Sequence, residues 1–284
     1  MKLRIIIALI LTLVFASVAR RLSERKPELI ITENEGIRIE HTTVVGKVGG
    51  GDVDIHAKIS TPESFENYQI NLVYRIGQGG FISSPMQPKK ENPGSFSGVI
   101  PSQPMRTKVY YYISVRGSEK NELTSPDRVN RLNRPFMIKF KGRVSPAVLI
   151  AHAIAMFVGI FFVFMVLFYD IDLLRGKDVL QDVGNLSLLA TFFIFLGGMP
   201  LGWWVTYQTL GILWEGIPVG SDITDSKTLI IFLYWLILLY LMKGTILKRN
   251  SKLNVVGDKL VGVFVLMGVI LTLLLYLIPH SIQL

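Results

Sequence analysis

Between residues 29 and 140 apolar and polar side chains alternate, and beyond residue 146 they stop alternating. Val53, Ile55, Ala57 and Ile59 interleave with Asp54, His56 and Lys58. Ile70, Leu72, Tyr74 and Ile76 form a second such run, and Val109, Tyr111, Ile113 and Val115 a third. A period of two puts one set of side chains on a core and the other in water. With 37–45, 80–86, 95–100 and 135–140 added, about seven short strands are expected. Turn residues separate them at Gly49-Gly50-Gly51, Gly77-Gln78-Gly79-Gly80 and Asn92-Pro93-Gly94. This pattern predicts an immunoglobulin-like β-sandwich, with His41 and His56 as solvated strand residues.

The second half reads differently. Residues 146–169, 186–206, 229–242 and 260–278 are apolar stretches suited to four membrane-spanning helices. At the other end of the chain, Lys2 and Arg4 precede an apolar run over 5–18. That run is shorter than the ~20 residues a span needs. Small residues at Ser17-Val18-Ala19 fit a signal-peptidase site, so the run is either a cleaved signal peptide or a retained signal anchor. The expected fold class is a multi-domain membrane protein in which an all-β immunoglobulin-like sandwich is followed by an α-helical transmembrane bundle. Its parts are residues 1–27 (signal segment with basic linker), 28–143 (sandwich) and 144–284 (four-helix domain).

Within the sandwich region Val73-Tyr74-Arg75, Phe81, Ser84-Pro85-Met86, residues 94–100, Pro101-Ser102-Gln103-Pro104 and Val109-Tyr110-Tyr111-Tyr112-Ile113 follow one another. This progression resembles the fibronectin-III/immunoglobulin-like modules of secreted bacterial proteins, over about residues 50–127. The resemblance implies a fold and no activity, since such modules serve as spacers, docking surfaces and enzyme appendages alike. The buried tryptophan and paired cysteines of antibody domains are missing.

Composition adds three constraints. Of 284 residues 18 % are charged, against about 25 % in soluble proteins, which agrees with a membrane protein. There is no cysteine, which excludes disulfides, thiolate metal sites and thiol nucleophiles. The net charge of +9 suits a membrane surface. A nucleic-acid partner needs a basic patch, and the sequence shows none. Lysine and arginine also set an orientation. Lys243, Lys248, Arg249, Lys252 and Lys259 lie in one expected loop and Arg175 and Lys177 in another, whereas Lys227 is alone in the loop between. The two basic loops are therefore expected in the cytoplasm, with the sandwich outside the inner membrane.

Candidate chemistry is sparse. His152 is the one ionisable residue inside an expected span, which argues against ion-coupled transport. His152 and His280 are candidate ligands for haem b, and His152 with Met156 for copper. Asp170, Asp172, Asp178 and Asp182 read as a solvated acidic loop. In 197–227, Gly197 and Gly198 permit close helix approach and Pro200 should kink its helix. Trp203, Trp204, Tyr207 and Trp214 follow, then Glu215, Asp222 and Asp225. They form either a loop over a lipid, quinone or cofactor pocket, or an aromatic belt with Asp225 or Ser226 capping the next helix. The leading functional expectation is a non-catalytic accessory, assembly or anchoring subunit with membrane lipids and other membrane subunits as partners and no cofactor. The alternatives are a redox protein binding haem, copper or quinone through His152, and an envelope lipid or polymer enzyme or transporter using Glu215, Asp222 and Asp225.

Overall fold

The computed structural model describes residues 2–24, 26–89, 92–117, 122–127, 134–220, 222–247 and 250–278. The alternating runs become two sheets. In the first, the strand order is β1 (Leu29–Asn34), β2 (Ile37–Thr42), β4 (Val53–Ser60), β8 (Ser95–Ile100) and β7 (Gln87–Pro88). The second runs β3 (Lys47–Val48), β11 (Phe136–Lys141), β9 (Lys108–Arg116), β5 (Gln69–Ile76) and β6 (Ile82–Pro85), with β10 (Glu122–Ser125) also on β9. All pairs are antiparallel except β3 with β11. Ile39, Ile55 and Ile59 of the first sheet share one core with Leu72, Ile113 and Ile138 of the second, so the sheets form a sandwich. Eleven strands are present among the described residues where about seven were expected from the alternation. β3 and β7 have only two residues each, too few to show a period, and β1 and β10 lie outside the alternating runs.

His41 departs from the expectation of a solvated side chain. It is 1 % exposed, because it shares the inward parity of Ile37 and Ile39 on β2. Its Nδ1 lies 2.7 Å from the His56 carbonyl and its Nε2 2.8 Å from the Tyr111 hydroxyl on the opposite sheet. A carbonyl only accepts, so Nδ1 carries the proton and Tyr111 donates to Nε2. Burial pushes this imidazole below its ordinary value, against the opposing pull of the His56 carbonyl. The same burial raises the Tyr111 phenol. His56 itself is exposed, as expected.

The helical unit overturns the expected order. It comprises the chain up to residue 24, residues 144–208 and the chain from 212 onward. Helix α1 (Lys2–Ser23) comes first and packs with α2 (Pro146–Leu174) and α6 (Asp258–Leu277). The chain does not run from a sandwich into a bundle; it starts in the helices, leaves for the sheets and returns. Polar residues at both ends, including Lys2, Arg4, Arg20 and Arg21, extend the apolar run into a 22-residue helix. Ala8 and Thr12 are buried in the bundle, and Phe15 meets Phe164 edge-on at 6.1 Å. Together with α3 (Leu180–Leu196) continuing through α4 (Gly202–Leu210), and α5 (Ile223–Leu241), five helices among the described residues are long and apolar enough to cross a membrane: α1 and the four expected spans. Trp235 of α5 is fully buried and donates to Thr272 of α6 at 2.8 Å.

One end of this unit gathers charge. The Arg4 guanidinium bonds the Asp172 carboxylate and lies 4.7 Å over the Tyr169 ring, and Lys177 reaches the other Asp172 oxygen at 2.8 Å. At the same end the Leu247 N–H donates to Asn185 at 2.9 Å. Asp170 is 0 % exposed, and neither of its oxygens has a hydrogen-bond partner among the described residues. Asp170 and Asp172 are thus not solvated loop residues. Helix α2 runs on to Leu174, past its expected end at residue 169, and carries both carboxylates into the bundle. Asp178 and Asp182 are exposed.

Two outcomes follow. The unfolded chain protonates His41 near its ordinary pKa, and the folded sandwich resists that proton. Stability of the sandwich is therefore complete above about pH 6.5 and falls as the pH drops below it. Thermal unfolding of the full chain in detergent, scanned against pH for wild type and His41→Gln, checks this, and the variant should lose that dependence. Because α1 supplies Arg4 and Phe15 to the bundle, intact-mass measurement on protein from native membranes should include residues 2–23. A mass beginning at Arg20 contradicts that.

Candidate functional site

At the other end of the helical unit the sequence Gly197-Gly198-Met199-Pro200-Leu201 forms a single π turn between α3 and α4. Pro200 has no N–H to give, so the regular helical bond pattern fails and the turn widens. The Gly202 N–H reaches back to the Gly197 carbonyl. That carbonyl takes a second partner, His152 of α2, whose Nδ1 lies 2.9 Å away. The proton must again sit on Nδ1, which leaves the Nε2 lone pair without a partner among the described residues. His152 is half-buried.

The two glycines set how closely the helices approach. A methyl group built on Gly197 would stand 2.7 Å from the Met156 sulfur, and one on Gly198 would overlap the Thr228 side chain of α5. Met156 in turn lies 3.6 Å from the Tyr276 hydroxyl of α6. Lys227 of α5 is 5 % exposed, and its ammonium donates to the Ile278 carbonyl just past α6, at 2.5 Å. His152 and Met156 of α2, Lys227 of α5 and Tyr276 of α6 are therefore gathered at the π-turn end by three different helices. Lys227 and Tyr276 were not foreseen; a lysine five positions into an apolar helix reads as a loop charge until the helix start is known.

The loop after α4 is folded back onto the start of α5. Asp222 is the helix cap, its Oδ1 accepting from the N–H groups of Thr224 at 2.6 Å and Asp225 at 3.3 Å. The expected cap, Asp225 or Ser226, does other work. Asp225 accepts from the Glu215 N–H at 2.8 Å, and Ser226 accepts from the Ile217 N–H at 3.0 Å while donating to the Asp222 carbonyl. The Asp222 N–H closes the loop on the Glu215 carbonyl at 2.8 Å. Trp214 is half-buried and donates to the Ile217 carbonyl at 3.3 Å. Trp203, Trp204 and Tyr207 point outward from α4, at 39, 57 and 55 % exposure, as an aromatic belt requires.

Among the described residues no group of three His, Asp or Glu side chains is close enough to hold an ion. Met156 lies against Gly197 of the π turn and the Tyr276 hydroxyl. His280, the expected second haem ligand, lies outside the described residues.

No protein-family model matches this chain, and neither does any curated protein. Among solved structures, the crystal structure of a Br derivative of BhCBM56 aligns with 38 % of this chain and 97 % of its own, at 11 % identity and a TM-score of 0.25. Murine CRIg aligns with 42 % of this chain and 100 % of its own, at 15 % identity and a TM-score of 0.21. Scores this low carry no argument, and no family is assigned.

The π turn itself is testable. Gly198→Ala forces α5 away from the turn, and overpacking of this kind costs about 1–3 kcal/mol. Thermal unfolding in detergent should register the loss, and an unchanged transition would mean the two elements are not in contact.

Proposed function

We propose that this chain is a non-catalytic, multi-pass subunit that anchors or assembles a larger cell-envelope complex in the cytoplasmic membrane, with the sandwich as its extracytoplasmic docking domain. The observation that carries this reading is how the polar residues of the π turn and loop are used. Asp222 and Asp225 hold the loop to α5, and His152 ties α2 to the turn. Their bonding capacity goes into internal structure and not into a cleft. Five apolar helices also exceed what a tether needs, and outward apolar side chains such as Ile154, Leu189, Phe192, Ile237 and Leu274 suit lipid or neighbouring helices.

The proposed orientation draws on charge. Lys2, Arg4, Arg175, Lys177, Lys243, Lys252 and Lys259 belong to the end of the unit where Arg4 meets Asp172, against Lys227 at the π-turn end. That bias favours the Arg4 end in the cytoplasm. Arg20, Arg21 and Arg143 flank the long sheet domain, where charge weighs less.

A second reading, a haem, copper or quinone protein, is favoured by one feature. An imidazole that gives its Nδ1–H to a backbone carbonyl has the orientation typical of a metal-bound histidine. Gentle-detergent extraction from native membranes, with native electrophoresis and mass spectrometry of the band, separates the readings. A large colourless assembly with defined subunits is expected. A lone monomer or homo-oligomer overturns the accessory reading, and a visible absorption band lost in His152→Ala replaces it with the second.

A further inference from the structure

The two sheets of the sandwich differ sharply in charge. The strands of the first sheet carry three acids, Glu33, Glu40 and Asp54, and two cations, Arg38 and Lys58. Those of the second carry six cations, Lys47, Arg75, Lys108, Arg116, Lys139 and Lys141, against the single acid Glu122. Glu122 is already engaged with Ser114 and Arg116. Strand parity sorts the second sheet further. Leu72, Tyr74, Val109, Tyr111, Ile138 and Phe140 point into the core, so Arg75, Tyr110, Tyr112 and Met137 lie on the outer face.

One row of that face is unusual. Arg75 pairs in register with Tyr110, which pairs with Met137, and Phe81 stands just before β6 on the other side. The Arg75 guanidinium is stacked against both rings, 4.8 Å from the centre of Tyr110 and 5.2 Å from Phe81. Tyr112 meets Phe81 edge-on at 5.5 Å. Among the described residues Arg75 has no ion pair, and its Nε is buried without a hydrogen-bond partner. The buried Nε–H is out of a ligand's reach, but stacking fixes the plane of the guanidinium while its two terminal nitrogens remain to meet a planar carboxylate end-on through two parallel bonds. In the next row Lys108 of β9 stands in register with Lys139 of β11, so positive charge continues along the face beyond Arg75.

We propose that this outer face binds a carboxylated polysaccharide, a strand of uronic acid residues laid across β5, β9 and β11. Size favours a narrow ligand over a protein. With strands roughly 4.8 Å apart and a rise of roughly 3.3 Å per residue, the face covers about 400 Å², whereas a stable protein partner covers about 800 Å². The chemistry favours a sugar acid over a bare polyanion. A uronic ring joins an apolar C–H face to a carboxylate within one ring's width, which matches an aromatic ring beside a fixed guanidinium on neighbouring strands. Arg75 takes the carboxylate, Tyr110 and Tyr112 carry the ring faces, and Lys108 meets the next acid along the strand. This inference goes beyond the proposed assembly role and does not depend on it.

The test uses the full chain in detergent, titrated with polygalacturonate oligomers, neutral dextran and polyglutamate of matched length by calorimetry. Polygalacturonate should bind and dextran should not. Arg75→Ala and Tyr110→Ala should each weaken binding about tenfold or more, and Arg75→Lys should fail to restore it, since it keeps the charge without the planar fork. An unchanged thermal transition certifies that each variant is folded. Absence of polygalacturonate binding overturns the proposal. So does equal binding of polyglutamate that Tyr110→Ala leaves intact, which would identify an acidic protein as the occupant.

Discussion

Hydrocarbon offers a polypeptide no water to satisfy its polar groups and little hydrophobic gain for bringing helices together, so a bundle holds through close packing and internal bonds. In this chain both requirements converge on α2. It packs with α1, α3, α6 and the π turn. Near its start His152 bonds the carbonyl of Gly197, and near its end Asp172 ties Arg4 of α1 to Lys177. Between them Gly159 lets Ile194 of α3 lie against the backbone. Remove α2 and no other helix contacts all of these partners.

The sandwich has a corresponding tie. His41 and Tyr111 join the two sheets through the middle of an otherwise apolar core, with Phe136 packed beside both rings. A buried imidazole bonded on both nitrogens specifies how one sheet registers on the other, where interchangeable isoleucines alone would not.

Much of this was legible in the residues. The inward sets of β4, β5 and β9 follow directly from alternation, and the apolar runs locate α2, α5 and α6. His152 stood out as the one ionisable side chain inside an expected span, and the glycines at 197 and 198 announced a close approach. Other features were hidden for physical reasons. His41 lies on the inward parity of its strand, but its polarity argued for water until Tyr111 supplied a partner from seventy positions away in sequence. Asp170 and Asp172 looked like a loop because carboxylates usually end a span, whereas α2 continues past them beside Arg4 of α1 and Gly262 of α6. The cap fell on Asp222 and not Asp225 or Ser226 because all three side chains suit the role, and the fold of the preceding loop decided among them. No pattern could forecast that Arg75 would be stacked between two rings, since the register of β5 on β9 and the position of Phe81 both had to be known.

The discontinuity of the helical unit has a cost in assembly. Helix α1 meets α2 only after the chain has made an excursion through residues 25–143. Closing so long a loop, were it flexible, carries an entropic penalty of about 4 kcal/mol. A sandwich that folds before the helices join replaces the flexible loop with a rigid body and removes most of that penalty. The order of folding therefore matters to this topology, and a substitution in the core of the sandwich can impair helix assembly without touching a single helix.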